Sequence, residues 1–563
     1  MSETPAWAPT ESRRWTTWFL ILGGAGIVAG LLVVPAIIRS AYGDGVFGFL
    51  GGLIPGRDVH AVEVYLARWR QVFLLGIGGL AALWGIGLVV LQPLTWRLTK
   101  AAYLSVPTVG GRFERRTVAL LLTLVAITVT VQAVHLPGQW EEVRGHEYER
   151  IATSLADGHG FSFPPTLRWL YQDGEPGDNE YGATAWKEPV YPYFMAASFS
   201  LFGPRYGRLA VVLAQLGFLV VTCMLVYRLG SKLFGPGVGV AAGLLTGLLV
   251  DLHYINTLKM QIQAISGLLL VGALLLIFRY GERPGTRKAV WLGLFLGAAA
   301  LTHAVLIVLV PIAGLFILLH TKDRSWRAAM KPALLMGVAA ALVISPWTIR
   351  NYIQFGHVIP VQTGFGLFAN VSNPYLAETY LAGIDACRNG SPPVYRASGP
   401  FDAVRSFRDD ERILHTVHRR AVACVAANHA EEYFSLNEHE RDGLHRQQLL
   451  SFARQYPLEV LELTAAKAFL YLFDVPVDGR GSPPLAALGL VGLLVVVRRP
   501  QMWVFPVAIL AYATPFALGA PMYFRYQAPL EPVYALLAVV AVVTVCRPAY
   551  RKSRRAWTAR NDQ

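Results

Sequence analysis

Long apolar runs alternate with short polar connectors along most of the chain. The runs are near 20 residues long, which is the length of a helix that crosses the hydrocarbon core of a bilayer. They predict an all-α integral membrane protein with about twelve transmembrane helices. The predicted spans are 15–38, 72–91, 117–134, 208–229, 236–255, 260–279, 288–303, 305–320, 330–347, 484–497, 501–519 and 527–545.

Basic residues in the connectors predict the orientation of the bundle. Arg and Lys gather at 97–116, 279–288, 322–327 and 547–555. Cytosolic loops of membrane proteins carry such an excess. Both chain ends are therefore expected in the cytosol, and the connector after the third span is expected on the outside.

The same pattern divides the chain into five predicted parts. An ambiguous apolar stretch at 460–473 is expected to lie against the surface, because a crossing there would put Arg498 and Arg499 outside. The parts are a two-helix membrane extension at 1–110, a catalytic membrane module at 111–350 with a first outer loop at 135–207, an extracytosolic mixed segment at 351–482, C-terminal membrane helices at 483–547 and a basic cytosolic tail at 548–563.

Composition excludes a soluble domain. The 563 residues are 54% hydrophobic and 15% charged, whereas soluble domains carry roughly 25% charged residues. The formal net charge is +14, and its cations sit at helix ends and not on one soluble face. We therefore expect the lipid bilayer, and no nucleic acid, to be a partner.

One polar stretch, residues 139–161, stands out within this apolar chain. It follows the third span and is expected at the outer mouth of the bundle. A polar segment in that place suggests a site. Its acidic residues are Glu141, Glu142, Glu147, Glu149 and Asp157.

Three further polar clusters, at 185–193, 346–360 and 523–532, are expected on the same face. With the first stretch they offer the carboxylates Glu147 and Glu188 and the cations Lys187, Arg350 and Arg525. Ionisable groups at membrane depth are costly and tend to be functional. A carboxylate can take the proton of an acceptor hydroxyl, a cation can neutralise a departing phosphate, and aromatic faces can hold a sugar or a lipid chain.

Composition alone does not separate a transferase from a transporter or flippase for a lipid-linked or small solute. A transporter predicts interrupted helices in two related halves with a site at the midplane. The polar clusters here gather at one face, which favours a transferase. A non-catalytic membrane scaffold is a third alternative.

Five strings in order resemble a known family: GHEYERIATSLADGHGFSFP, ATAWKEPVYPYFMAASFSLFG, LTHA, PWTIRNYIQFGHVIPVQTGFGLF and FRYQAPLEPVYALLA. They are similar to bacterial relatives of dolichyl-phosphate-mannose–protein mannosyltransferase and, more distantly, to the aminoarabinose transferase of lipid A. The resemblance covers about residues 117–545. It implies the type C glycosyltransferase fold, a polyprenyl-phosphate sugar donor and inverting transfer at the outer face of a bacterial inner membrane.

The resemblance also implies a catalytic base in the first outer loop. In these families it is often an Asp four residues before a Tyr, but Arg144 occupies that place before Tyr148. Glu147 is the nearest acid and is the predicted base, with Glu142 or Glu141 as alternatives. A loop carboxylate that merely pairs with Arg150 is the structural alternative.

Other family positions predict contacts to the donor phosphate or sugar. Lys187 and Glu188 stand in swapped order relative to the Glu-Lys-Pro motif of the aminoarabinose transferase, so Lys187 is a predicted phosphate or sugar contact and Glu188 its partner or an acceptor contact. The structural alternatives are that Lys187 extends its ammonium to the membrane interface, that His303 is a hydrogen-bonded core residue, and that Arg350 and Arg525 are interfacial arginines. The remaining predicted contacts are Arg525, Arg350, Tyr191 and His303.

Nothing in the sequence predicts a cofactor or a metal site, since EF-hand, Walker and HExxH patterns are missing. A divalent metal is possible but not indicated. Cys387 and Cys424 fall in the outer segment, where they can form a disulfide or stay as two buried thiols. The sugar and the acceptor, whether protein, lipid or glycan, are not readable from the sequence.

Overall fold

A computed structural model describes most of the chain after residue 145. The described ranges are 146–164, 181–249, 260–320, 326–388, 411–429, 433–473, 482–519 and 524–545. The predicted spans 15–38, 72–91 and 117–134, the two-helix extension and the basic tail lie outside these ranges.

Helices account for nearly all the regular structure of the described residues. The first seven are α1 (His146–Ala156), α2 (Val190–Phe234), α3 (Pro236–Gly247), α4 (Gln263–Glu282), α5 (Thr286–Thr302), α6 (Leu309–His320) and α7 (Trp326–Phe355). They are followed by α8 (Phe365–Val371), α9 (Pro374–Ala382), α10 (Ile384–Arg388), α11 (Glu411–Asn428), α12 (Glu438–Gln455), α13 (Pro457–Leu472), α14 (Pro483–Val496), α15 (Val504–Gly519) and α16 (Phe524–Gln527).

Short elements complete the description. One antiparallel pair, β1 (Ser162–Phe163) with β2 (Gly182–Ala183), aligns Ser162 with Ala183. The 3₁₀ turns are Ala304–Val308, Tyr433–Ser435, Pro500–Trp503 and Ala528–Leu530.

Five described helices are long and apolar enough to cross a bilayer. They are Val190–Phe234, Gln263–Glu282, Arg327–Phe355, Gln501–Gly519 and Ala528–Val545, and shorter apolar helices are Pro236–Gly247, Ala304–His320 and Pro483–Val496. The prediction of a helical membrane protein is confirmed, and the count of about twelve spans stays a prediction. The surface placement of 460–473, now α13, also stays a prediction.

The first long helix begins earlier than the hydrophobic run predicted. α2 starts at Val190, within the polar cluster 185–193, and bends at Gly203, whose φ is +72°. Pro204 follows the bend, and proline is tolerated there because it starts a new helical stretch. The polar cluster and the apolar run therefore belong to one bent helix rather than to two separate elements.

Close packing of α5 on α7 depends on two glycines. A Cβ atom at Gly293 would collide with the carbonyl oxygen of Met336, and one at Gly297 would lie 2.7 Å from the carbonyl oxygen of Ala340. Small residues four apart let two membrane helices approach backbone to backbone. This contact fixes the C-terminal half of α5, which ends at His303.

Two hydrophobic clusters organise the described residues. The larger surrounds α4, which is apolar on all sides and packs against α2, α5, α6 and α15. The second joins residues of α1, β1 and α7 to the segment that follows α7, and it includes Trp186, Trp347, Tyr380 and Phe452. Cys387 and Cys424 are joined by a disulfide that ties α10 to α11 within it, which is one of the two alternatives that the sequence left open.

Candidate active site

Four predicted site residues, Glu147, Lys187, Glu188 and His303, meet in one cavity of about 270 Å³. It lies where α1, the start of α4, the ends of α5 and α15, and the segment before α8 converge. Its lining combines polar and apolar side chains. The further polar residues are Tyr148, Gln261, Gln263, Gln362 and Thr363, and the apolar residues, called the apolar wall below, include Val305, Ile307, Val308, Phe365, Phe368 and Phe516.

Glu188 is the most buried carboxylate of the cavity, with 2% of its surface exposed. Its Oε1 accepts a hydrogen bond from the backbone N–H of Ala304 at 2.8 Å. That N–H lies at the break between α5 and the 3₁₀ turn, where the backbone of His303 is extended. A free backbone donor at membrane depth is costly, and Glu188 therefore stabilises the interrupted helix.

The other oxygen of Glu188 is bound to α1. Tyr148 donates its hydroxyl to Oε2 across 3.0 Å. Burial, and then the nearby carboxylates Glu188 and Glu147, raise the pKa of Tyr148 well above its ordinary value. The phenol therefore stays protonated and remains a hydrogen-bond donor to Glu188.

Lys187 and Glu147 face each other in the cavity. The ammonium nitrogen of Lys187 lies 4.0 Å from Oε1 of Glu147, and it sits 5.1 Å from the ring centre of Tyr148 and 5.2 Å from that of Phe368. Their side chains are 12% and 19% exposed respectively. Both groups are thus held by packing yet remain accessible from the cavity. The structural alternative was an ion pair between Glu147 and Arg150, whereas the observed ion pair of Glu147 is with Lys187.

His303 is buried at the end of α5. Its Nδ1 lies 2.9 Å from the hydroxyl oxygen of Ser266, and that hydroxyl donates its own hydrogen to the carbonyl of Ile262. Because the serine has only one hydrogen, Nδ1 carries the proton and Nε2 of the neutral ring is an acceptor. A contact from Nε2 to a phosphate therefore requires the protonated imidazolium.

Two amides were missed as site residues. Gln261 and Gln263 are 3% and 5% exposed and line the cavity beside the start of α4. Within the described part of the chain, Oε1 of Gln263 has no hydrogen-bond partner. Polar groups at the edge of an apolar run were the available signal, since both lie within the predicted span 260–279.

A distant carboxylate fixes the strand that precedes Lys187. Glu438, on α12, is 6% exposed and accepts hydrogen bonds from the hydroxyl of Thr184 at 2.6 Å and the N–H of Ala185 at 3.1 Å. The hydroxyl of Thr363 donates to the same carboxylate. No local motif marked Glu438, because its partners lie far away in the sequence.

Arg350 does not line the cavity. Its guanidinium donates to the carbonyl of Thr184 at 2.7 Å and to that of Phe161 at 2.9 Å, and it lies over the ring of Trp347 at 4.9 Å. These contacts tie α7 to the ends of β1 and β2. The geometry therefore gives Arg350 a structural role rather than a place beside the predicted donor.

Tyr191 also lies behind the cavity wall. It is 1% exposed, donates its hydroxyl to Gln215 and packs edge-on against Tyr148 with ring centres 5.5 Å apart. It can therefore support Tyr148 but does not face the cavity. The predictions for Glu142 and for the side chain of Arg525 lie outside the described residues, although Tyr526, next to Arg525, lines the cavity.

Comparison with protein families gives one match. Residues 186–349 match the model of the dolichyl-phosphate-mannose-protein mannosyltransferase family. The resemblance seen in the sequence is confirmed. The matched residues include Lys187, Glu188 and His303, whereas Glu147 precedes them. No curated protein sequence matches the chain.

Solved structures from two organisms align with the chain. One is the archaeal oligosaccharyltransferase AglB from Archaeoglobus fulgidus in complex with an inhibitory peptide and a dolichol-phosphate, with 14% identity, a TM-score of 0.44, and coverage of 79% of this chain and 52% of that chain. The other is ArnT from Cupriavidus metallidurans bound to undecaprenyl phosphate, with 13% identity, a TM-score of 0.32, and coverage of 75% and 78%. The chain thus spans about half the length of the archaeal protein.

Proposed function

We propose that the protein is an integral-membrane glycosyltransferase of the type C fold. It moves a sugar from a polyprenyl-phosphate-linked donor to a hydroxyl of a protein, lipid or glycan acceptor, with inversion. The observation that carries this proposal is the cavity in which Glu147 and Lys187 stand 4.0 Å apart against an apolar wall. The family match supports a donor of the dolichyl-phosphate-mannose type.

In the proposed reaction, the acceptor hydroxyl attacks the anomeric carbon of the sugar. A new carbon–oxygen bond forms to the acceptor while the bond to the phosphate oxygen breaks. Glu147 takes the hydroxyl proton, and the polyprenyl phosphate leaves with the bonding electron pair. Attack from the face opposite the phosphate inverts the anomeric centre. Proton transfer of this kind contributes typically 10²–10⁴-fold to a rate.

Lys187 stabilises the departing phosphate in this proposal. Its ammonium is held beneath two aromatic rings, in a partly dry site where a fixed charge acts more strongly than in water. Arg525 is proposed to act in the same way. Glu188, which is bound on both oxygens, positions the helix break and Tyr148. The apolar wall is proposed to hold the first isoprene units of the donor.

The cavity is proposed to face outward. α4 begins beside the cavity and ends at Glu282, the connector to α5 begins with Arg283, and the first turn of α5 carries Arg287. Basic connectors mark the cytosolic side, so the cavity lies at the opposite, extracytosolic ends of these helices. Transfer is therefore proposed to occur at the outer face of a bacterial inner membrane.

The test is a Glu147→Gln variant reconstituted in liposomes. Wild-type protein is supplied with radiolabelled polyprenyl-phosphate sugars, mannose first, and membranes from cells that lack the gene. We expect Glu147→Gln to lose at least 100-fold in transfer while it retains donor lipid in mass spectra of the purified protein. Asp157→Asn, an exposed carboxylate at the end of α1, is the matched control. Full transfer by Glu147→Gln would remove Glu147 as the base.

A further inference from the structure

A second cavity, of about 720 Å³, lies at the other end of α4 and α5. It is lined by the cations Arg279, Arg283 and Lys288, by Glu282 and by the aromatic residues Tyr280 and Trp291. α4 has 20 residues, so this cavity is separated from the candidate active site by about 30 Å along the helix. It is called the inner cavity below.

The inner cavity carries an excess of positive charge. Arg279 and Arg283 are one helical turn apart and share a side of the helix end. The ammonium of Lys288 donates to the carbonyl of Arg283 at 2.9 Å, which holds the third cation beside the second. The carboxylate Glu282 is paired with Lys232 of α2 at 2.5 Å. Three cations therefore face the cavity while its one carboxylate is neutralised by a neighbour.

The lining of the inner cavity also contains apolar side chains. Trp291 lies on α5 with 62% of its surface exposed, and Leu276 and Leu292 are further lining residues. Tryptophan favours the interface between headgroups and acyl chains. A soluble anion would use the cations and leave the exposed indole without a role. A phospholipid uses both, because its phosphate and its acyl chain lie on the two sides of that interface.

We propose that the inner cavity binds the headgroup of an anionic phospholipid from the leaflet opposite the active site. The phosphate lies among Arg279, Arg283 and Lys288, and an acyl chain follows Trp291 along α5. Basic pockets between membrane helices on the cytosolic side commonly bind anionic headgroups. This inference does not depend on the chemistry proposed for the candidate active site.

The general excess of cations on a cytosolic face offers a competing explanation. That excess would make every basic residue of the connector contribute equally to lipid attraction. Arg287 provides the comparison, since it is exposed and next to Lys288 but does not line the cavity. A specific site predicts that Lys288 matters and that Arg287 does not.

The experiment uses the full chain in mixed detergent micelles that contain equal amounts of phosphatidylglycerol and phosphatidylcholine. Native mass spectrometry counts bound lipids for wild type, Arg279→Gln, Arg283→Gln, Lys288→Gln and Arg287→Gln. Each cavity substitution is expected to weaken phosphatidylglycerol binding about fivefold, and Arg287→Gln is expected to leave it unchanged. Trp291→Ala is expected to weaken the binding of phosphatidylglycerol and of phosphatidylglycerol analogues with shorter acyl chains.

Three outcomes would overturn the proposal. Equal losses in Arg287→Gln and Lys288→Gln would show only a general surface attraction. Equal binding of phosphatidylcholine would remove the headgroup charge from the argument. Protection against thermal unfolding by inorganic phosphate at the concentration that suffices for phosphatidylglycerol would identify a soluble-anion site. Thermal unfolding of each variant without lipid shows that it is folded, so that a lost lipid reports on binding.

Discussion

The hydroxyl of Tyr148 donates to Oε2 of Glu188, 40 residues along the chain, across 3.0 Å. Because the other oxygen of Glu188 accepts from the N–H of Ala304, this bond joins α1 to the helix break at Ala304. Tyr148 directly follows Glu147, and Glu188 directly follows Lys187. One buried hydrogen bond therefore sets the separation between the proposed base and the proposed phosphate contact. The two polar strings that the sequence marked independently act as one unit.

Removing that hydroxyl should slow transfer without unfolding the protein. Tyr148→Phe keeps the ring against Tyr191 and Lys187 but leaves a buried carboxylate with one partner fewer. We expect the rate constant for transfer to fall about tenfold, with a smaller change in KM for the donor. The measurement is steady-state transfer in liposomes. Tyr352→Phe, at an exposed position of α7, is the control, and an unchanged rate in Tyr148→Phe would break the link drawn above.

Gln263 is expected to contact a hydroxyl of the bound donor. Its buried Oε1 has no hydrogen-bond partner in the part of the chain that the structure describes, and an unpaired buried acceptor costs about 1–3 kcal/mol. Gln263→Leu removes that cost before the donor binds and removes a contact afterwards. The unfolding temperature of the donor-free protein should therefore rise while KM for the donor rises about tenfold.

A donor-free protein that becomes more stable while its binding of the donor becomes weaker distinguishes a ligand contact from a structural role. Gln501→Leu, an exposed amide at the far ends of the helices, should change neither quantity. A Gln263→Leu variant that is less stable and has normal KM would show that Gln263 only supports the fold.

Much of the candidate site could be predicted from the sequence. The strings HEYER, WKEP and LTHA each marked a residue of the cavity, because polar groups among apolar runs are rare enough to be informative. Arg350 shows the limit of this reasoning. The carbonyls of Phe161 and Thr184 that its guanidinium binds come together only through the pairing of β1 and β2, which no local pattern indicates. Gln263 escaped notice because an uncharged amide at the edge of an apolar run completes no motif, and Glu438 because its partners Thr184, Ala185 and Thr363 lie far away in the sequence.

Protonation of His445 is expected to lower the free energy of unfolding of the segment 351–482 in acid. Its Nδ1 accepts from the amide of Asn370 at 3.1 Å, and its Nε2 lies 3.1 Å from the hydroxyl of Tyr433. Burial, and then the neighbouring His418, lower the pKa of His445 to about 3. The unfolded chain takes up a proton below about pH 6.5, whereas the folded protein does so only near pH 3.

Stability from this group is therefore complete above pH 6.5 and is lost progressively as the pH falls. The expected loss is about 2 kcal/mol at pH 5, measured as a lower unfolding temperature than at pH 7.5. His445→Gln should flatten that dependence, and His429→Gln, an exposed histidine, should not. An unchanged pH profile in His445→Gln would assign the acid sensitivity to other groups.

Glu438 is expected to control catalysis from outside the cavity. Its carboxylate binds Thr184, Ala185 and Thr363, which places the segment that leads into Lys187 and Glu188. Glu438→Gln leaves a carbonyl oxygen for Ala185 and Thr363 but replaces the oxygen that faces Thr184 by an NH₂ donor, so the buried hydroxyl of Thr184 loses its acceptor at a cost of about 1–3 kcal/mol. We expect a lower unfolding temperature and a lower transfer rate together. Glu462→Gln, an exposed residue of α13, is the control, and a variant with normal transfer despite reduced stability would confine Glu438 to the fold.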